Sequence, residues 1–217
     1  MGKTPFDLSL YLVTDPALVE PRGLLATVEA AVRGGVTLVQ LRDKTSDDRD
    51  FAAAAEALLA VLKPRGVPLI VNDRAAIAKA VGADGVHIGQ DDGDPRRVRD
   101  LIGPDMILGL SAGTPAEFAA APGDGIVDYL GVGPIRATGT KPDHDPPIGV
   151  EGLARLLPLC PLPKVAIGGI GPANAEAVAA TGVEGVAVVS AICSAPDPEA
   201  AARSLAMIIR NVRAARR

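Results

Sequence analysis

Short apolar runs rich in Val, Ile and Leu recur along the chain, at residues 10–14, 38–41, 69–72, 85–88, 107–110, 129–132, 165–167 and 185–189. Each is followed by a turn and then by a stretch whose apolar positions repeat at helical spacing. The helical pattern is clearest at 24–32, 47–62 and 199–213, and shorter versions stand at 95–101, 115–120, 150–156 and 172–179. Several of these begin with Pro, which suits the first position of a helix. Glycine steps precede several strands, as in Arg33-Gly34-Gly35, Arg65-Gly66, Val81-Gly82 and Thr181-Gly182, and read as helix ends followed by strand entry. The segments G-A-D-G-V at 82–86 and G-V-E-G-V at 182–186 hint at a half-barrel repeat.

Eight strand–helix units in 217 residues predict a single-domain (β/α)8 TIM barrel covering residues 1–217. A doubly wound sheet is the other architecture with this pattern. Hydrophobic residues make up 48% of the chain, aromatics only 2%, and Trp is absent. The core is therefore expected to be Val, Ile, Leu and Ala, as in buried parallel strands covered by Ala-rich helices. A net charge of -4 gives no reason to expect nucleic acid as a partner. No apolar run is long enough to span a membrane and the start leads to no signal-peptide core, so a cytoplasmic protein is expected. Cys160 and Cys193 have neither metal-ligand nor disulfide-framework spacing and are expected to be reduced and buried. Arg210, Arg213, Arg216 and Arg217 read as a solvated helix end.

In a barrel the chemistry sits at the C-terminal ends of the strands. The second strand leads into Gln40-Leu41-Arg42-Asp43-Lys44, and strand alternation puts Gln40, Arg42 and Lys44 on one face and Asp43 on the other. An amide, a guanidinium and an ammonium on one face suit a diphosphate; alone, the motif reads equally well as solvated strand-end charge. Lys141 is grouped with these cations, and Asp73 and Asp92 end the third and fourth strands. Carboxylates facing cations fit a Mg²⁺ ion held by one or two of them together with phosphate oxygens. Asp73 reads alternatively as a helix N-cap, alone or alongside ligation. A second phosphate site is suggested by Gly168-Gly169 and Val189-Ser190, at the ends of strands seven and eight. The two glycines are also what a tight turn needs. Thr138, Gly139 and Thr140 lie in the long irregular stretch 133–148 and could serve either phosphate. His87 reads as a packed, hydrogen-bonded strand residue, and His144 as a solvated loop residue.

Taken in order, Q-L-R-D-K (40–44), V-N-D (71–73), G-V-H-I-G-Q-x-D (85–92), G-V-G-P-x-x-x-T-x-T-K (131–141), A-I-G-G-I (166–170) and V-V-S-A-I (188–192) resemble the thiamine-phosphate synthase family. The resemblance runs from Tyr11 to Ile192. It implies a (β/α)8 barrel that is a transferase of thiamine biosynthesis, joining an aminopyrimidine methyl diphosphate to a thiazole phosphate with Mg²⁺ and releasing diphosphate. It further implies that Gln40, Arg42, Lys44, Asn72, Ser111 and Lys141 contact the pyrimidine diphosphate, and that Arg42, Lys44, Lys141 and Ser111 carry the catalysis. By the same resemblance Asp73 and Asp92 hold Mg²⁺, while Thr138, Thr140, Gly169, Val189 and Ser190 contact the thiazole phosphate. The partners implied are small-molecule substrates, with no nucleic acid and no membrane, and a homo-oligomer is compatible with this reading. Two positions depart from the family pattern: Gly113 stands where many members have His, and Arg136-Ala137 replaces an aromatic–Pro pair. A thiazole tautomerase-like relative and a non-catalytic phosphate-metabolite-binding barrel are the alternative readings.

Overall fold

The computed structural model describes residues 3–121, 124–139 and 146–216. Eight parallel strands close into a barrel, in sequence order: β1 (Leu10–Val13), β2 (Leu38–Leu41), β3 (Leu69–Asn72), β4 (Gly85–Ile88), β5 (Ile107–Ser111), β6 (Tyr129–Val132), β7 (Lys164–Ile167) and β8 (Gly185–Val188). Closure is made by β1, which pairs with β2 through Leu12 opposite Val39 and with β8 through Leu12 opposite Val188. This rules out the open doubly wound sheet.

The helices in chain order are α1 (Pro16–Val19), α2 (Leu24–Arg33), α3 (Asp48–Leu62), α4 (Ala75–Val81), α5 (Pro95–Ile102), α6 (Pro115–Ala120), α7 (Gly149–Leu156), α8 (Ala175–Ala180), α9 (Ser190–Cys193) and α10 (Pro198–Ala215). Several start where the sequence supplies an oxygen for the open backbone N–H groups. Asp47, Asp94 and Asp197 accept from the first turns of α3, α5 and α10, and Thr114 with Glu117 closes a reciprocal cap on α6. α10 packs against α2 and α8, completing the outer ring.

Alternation along each strand divides the apolar residues between two cores. Leu12, Val39, Leu41, Val71, Val86, Leu108, Leu130 and Val186 face outward and pack under the helices. Tyr11, Val13, Leu38, Ile70, Ile107, Tyr129, Val165 and Ala187 fill the barrel interior. Both cysteines are buried and unbridged, Cys193 with its thiol toward the Val13 carbonyl. Of the C-terminal arginines, Arg213 is less solvated than expected: it donates to Ser9 Oγ and the Glu184 carbonyl, fastening α10 to the bottom of the barrel. Arg210 is exposed, and Arg217 lies outside the described residues. Among the described residues no helix is long and apolar enough to cross a membrane.

Candidate active site at the C-terminal mouth of the barrel

A cavity of about 450 Å³ opens at the C-terminal ends of the strands. Gln40, Arg42, Lys44, Asn72, Asp73, Asp92, Ser111, Thr138, Gly169, Val189 and Ser190 all border it. These are the expected site residues among those described. Thr140, Lys141 and His144 lie outside the described residues. Because the strands close in sequence order, the ends of β2–β4 stand across the barrel from the ends of β6–β8. The cationic and acidic residues belong to the first arc. The glycine and hydroxyl donors of the second phosphate signal belong to the other.

β2 ends at Leu41, so Arg42 and Lys44 lie just beyond the strand rather than on it. They still reach the cavity, because the chain leaving β2 is fixed on both sides. Arg42 N donates to Thr14 Oγ1 (3.1 Å). Asp43 turns the other way and folds a tight bend, accepting from Thr45 N (2.7 Å), Thr45 Oγ1 (2.7 Å) and Ser46 N (3.0 Å). Partial burial pushes its carboxyl up, but these hydrogen bonds outweigh it and hold the group below its ordinary range. Arg74 braces the same bend, donating to Ser46 O (2.7 Å) and Asp48 (3.1 Å) with its guanidinium stacked 4.4 Å from the Phe51 ring centre.

Asp73 is not a helix cap. α4 begins at Ala75, and the residue at its N-cap position, Arg74, makes no side-chain cap bond. Asp73 instead adopts φ 61°, unusual for a residue other than Gly, and its Oδ2 lies 2.9 Å from Lys44 Nζ. Its main-chain N–H bonds to the His87 carbonyl (2.9 Å), which ties the end of β3 to β4. Burial pushes the Asp73 carboxyl above its ordinary range. The Lys44 ammonium opposes that shift and the neighbouring Asp92 carboxyl adds to it. Asp92 is held in place by Gly89 N, which donates to its Oδ2 (2.7 Å). Two carboxyl groups pressed together are a donor set that fits a hard divalent cation completed by phosphate oxygens. No group of three or more His, Cys, Asp or Glu able to hold a metal occurs among the described residues, so the pair itself is the candidate.

On the opposite arc, Gly168 and Gly169 both have positive φ, 96° and 62°. A Cβ on Gly169 would lie 2.7 Å from Arg136 Cβ and 3.1 Å from the Arg136 carbonyl. These glycines therefore serve the tight turn and the close approach of the loop after β6. That loop lies along the end of β7, with Ile135 N donating to Ile167 O and Arg136 N to Gly168 O, both at 3.0 Å. Beyond β8, Val189 precedes the single turn α9, so Ser190 opens a helix N-terminus at the rim. Backbone N–H groups there can face an anion.

Among the polar residues that border the cavity without a site role in the sequence reading are Tyr11, Thr14, His87, Gln90 and Glu117. Gln90 Nε2 donates to the Ser111 carbonyl (2.6 Å), and Glu117 accepts from Gly113 N (2.6 Å). The Thr114-x-x-Glu117 capping pattern was a signal for Glu117. His87 is a packed, hydrogen-bonded strand residue, as expected, with partners on both ring nitrogens.

A family model described as thiamine monophosphate synthase matches residues 10–192. The chain is 56% identical over 209 residues to a thiamine-phosphate synthase of Azorhizobium caulinodans, covering 96% of this chain and 98% of that one. It is 55% identical over 201 residues to a thiamine-phosphate synthase of Xanthobacter autotrophicus, with 93% and 95% covered. Among solved structures, a thiamine phosphate pyrophosphorylase from Pyrococcus furiosus superposes with a TM-score of 0.85 at 34% identity, covering 94% and 96% of the two chains.

Proposed function

The chain belongs to the thiamine monophosphate synthase family, a family of transferases, and on that premise we propose how its cavity makes thiamine phosphate. The substrates are 4-amino-2-methyl-5-(diphosphooxymethyl)pyrimidine and a thiazole phosphate. The bond between the pyrimidine methylene carbon and the diphosphate oxygen breaks, and its electron pair leaves with diphosphate. The thiazole nitrogen forms the new bond to the same carbon. An electron-rich aminopyrimidine can carry positive charge on that methylene, so no protein nucleophile is needed.

The observation that carries this reading is one cavity bordered by Arg42 and Lys44 on one side of the barrel mouth and by Gly169 and Ser190 on the other. Two substrates with anionic ends can lie in it with their rings meeting between the arcs. On the first arc, Arg42 and Lys44, with Lys141 from the motif alone, hold the diphosphate and stabilise its growing charge. Gln40, Asn72 and Ser111 orient the pyrimidine. Asp73 and Asp92 would hold Mg²⁺, which when bound supplies positive charge to the departing diphosphate; their juxtaposed carboxyls support this. On the second arc, Thr138, Gly169, Val189 and Ser190, with Thr140 from the motif alone, hold the thiazole phosphate and point its ring at the reacting carbon.

The test is to combine both substrates with Mg²⁺ and the purified protein. Diphosphate and thiamine phosphate should appear one for one. Interconversion of thiazole-phosphate tautomers without coupling would make the chain a tautomerase instead, and binding without turnover would make it a non-catalytic barrel. A tautomerase has no need of the diphosphate cations and paired carboxylates of the first arc, and a barrel that only binds phosphates has no need of the paired carboxylates.

A further inference from the structure

Five polar side chains from five different strands form one hydrogen-bonded chain inside the barrel. Gln40 Nε2 donates to Tyr11 Oη at 2.8 Å. Tyr11 Oη lies 2.9 Å from Tyr129 Oη, and Tyr129 Oη lies 2.9 Å from His87 Nδ1. His87 Nε2 in turn lies 3.0 Å from Ser111 Oγ. Tyr129 is fully buried and does not border the cavity, whereas the other four do.

With Gln40 Nε2 as the donor to Tyr11 and one proton on each link, a single order of protons runs along this chain. Tyr11 accepts from Gln40, so its own proton is available to Tyr129. Tyr129 having accepted, its proton goes to His87 Nδ1. An imidazole that accepts at Nδ1 carries its proton on Nε2, and that proton is donated to Ser111 Oγ. The Ser111 proton is then the one turned to the cavity, as a donor. At the other end, the Gln40 amide nitrogen is committed to Tyr11, which leaves Gln40 Oε1 as the acceptor. The fold makes room for this arrangement at Gly109, where a Cβ would come within 2.5 Å of His87 Nδ1. The tyrosine and histidine rings are in contact, with His87 and Tyr129 centroids 5.4 Å apart.

We propose that Tyr129 is a positioning residue which, by donating to Nδ1, locks His87 as the Nε2–H tautomer and so presents a Ser111 donor and a Gln40 acceptor together to the cavity. On the reading that a pyrimidine diphosphate binds there, this pair selects a 4-amino ring over its 4-oxo counterpart. The amino form offers an N–H donor beside a ring-nitrogen acceptor. The 4-oxo form offers a carbonyl acceptor beside a ring N–H donor, so both contacts are reversed. A site built to pair buried polar groups rejects a ligand that leaves them unpaired. Because the two ends are joined through four hydrogen bonds, one end cannot reverse without the other. No local sequence pattern assigns Tyr129 this role.

The deciding measurement is ¹⁵N NMR of the histidine rings in the free protein, with His144→Gln identifying the His87 signals. His87 should be the Nε2–H tautomer; an Nδ1–H tautomer or a doubly protonated ring overturns the proposal, whether or not the protein is active. Tyr129→Phe removes the donor and should give mixed His87 tautomers. It should also narrow the ratio of inhibition constants between the 4-oxo and 4-amino pyrimidine analogues by about tenfold, the equivalent of one hydrogen bond. The KM for thiazole phosphate should stay unchanged. Unchanged discrimination, or equal weakening of both substrates, overturns the proposal. If Tyr129→Phe does not fold, Tyr11→Phe breaks the same chain one link earlier and the wild-type spectrum remains decisive. Failure to make thiamine phosphate with His87 in the Nε2–H form would count against the proposed function and leave the tautomer assignment standing.

Discussion

Lys44 Nζ lies 2.9 Å from Asp73 Oδ2, joining the loop after β2 to the loop after β3 at the mouth of the cavity. Lys44 is exposed, so as a contribution to stability the pair is worth at most about 1 kcal/mol. Its meaning lies in what it holds. Asp73 is kept with φ 61° beside Asp92, a conformation and a neighbour that both cost free energy without a compensating charge.

That geometry makes Asp73 a clean probe of metal binding. Asn is among the residues that accept positive φ, so Asp73→Asn should fold with nearly wild-type stability. The Mg²⁺ concentration for half-maximal activity should rise by roughly tenfold or more, the scale reached even by losing an outer-sphere partner. Asp73→Ala should lose about 1 kcal/mol or more of stability as well. Denaturant titration alongside Mg²⁺-dependence of rate separates the two effects. Full wild-type activity in EDTA would sink the metal assignment.

Arg42 is anchored through its own backbone N–H on Thr14, so replacing its side chain leaves that anchor intact. Arg42→Met should remove one preorganised charge from the departing diphosphate, worth on the order of 3 kcal/mol. Rate falls by roughly a hundredfold on that scale. Single-turnover kinetics check it, and a wild-type-like chemical step would mean that Arg42 is only a surface charge.

Ser190 opens α9 on the opposite arc and is exposed to the cavity. Ser190→Asp places a carboxylate where a phosphate is expected, and like charges repel. Thiazole-phosphate binding should weaken far more than pyrimidine-diphosphate binding in calorimetric titrations. Equal loss of both would mean that the two arcs do not bind separate anions.

Much of this was legible in the sequence, and the remainder has physical reasons for being hidden. The bounds of β2, β3, β4 and β6 coincide with their mostly apolar runs, because a strand covered on both faces needs a short segment with few polar residues. α1 and α9 are single turns, too short to show a helical period. The segment at 172–179 starts late, at Ala175, because Asn174 ties a turn instead, accepting from Gly171 N and donating to the Gly169 carbonyl. Arg42, Asp73 and Ser190 could be placed at the mouth because strand ends are local features. Tyr11 and Tyr129 could not be paired, since 118 residues separate them and only closure of the barrel brings their hydroxyls together.

Gly169 tests whether the turn after β7 is a structural or a binding feature. An Ala there must adopt φ 62°, at about 1–2 kcal/mol for an L-residue, and its Cβ meets Arg136 Cβ at 2.7 Å. Gly169→Ala should therefore be measurably less stable and should push the loop after β6 off the end of β7. The KM for thiazole phosphate should rise with little change for the pyrimidine diphosphate. If only stability changes, the glycine serves the turn alone.

Three buried groups bear on alkaline stability. Burial pushes the Cys193 thiol up from its ordinary 9.0 to about 11, and burial also raises the Tyr11 and Tyr129 phenols. In each case the folded protein keeps a proton that the unfolded chain gives up. Stability is thus fully present below about pH 9 and is lost as pH rises toward 11. For Cys193 the rise from 9.0 to about 11 corresponds to about 2–3 kcal/mol across that window. Cys193→Ala should be less stable at neutral pH, since it leaves a small void beside the Val13 carbonyl, yet it should lose stability less steeply between pH 9 and 11. Denaturant midpoints of the two proteins at several pH values give the slopes directly. Parallel slopes would assign the alkaline loss to the tyrosines rather than to Cys193.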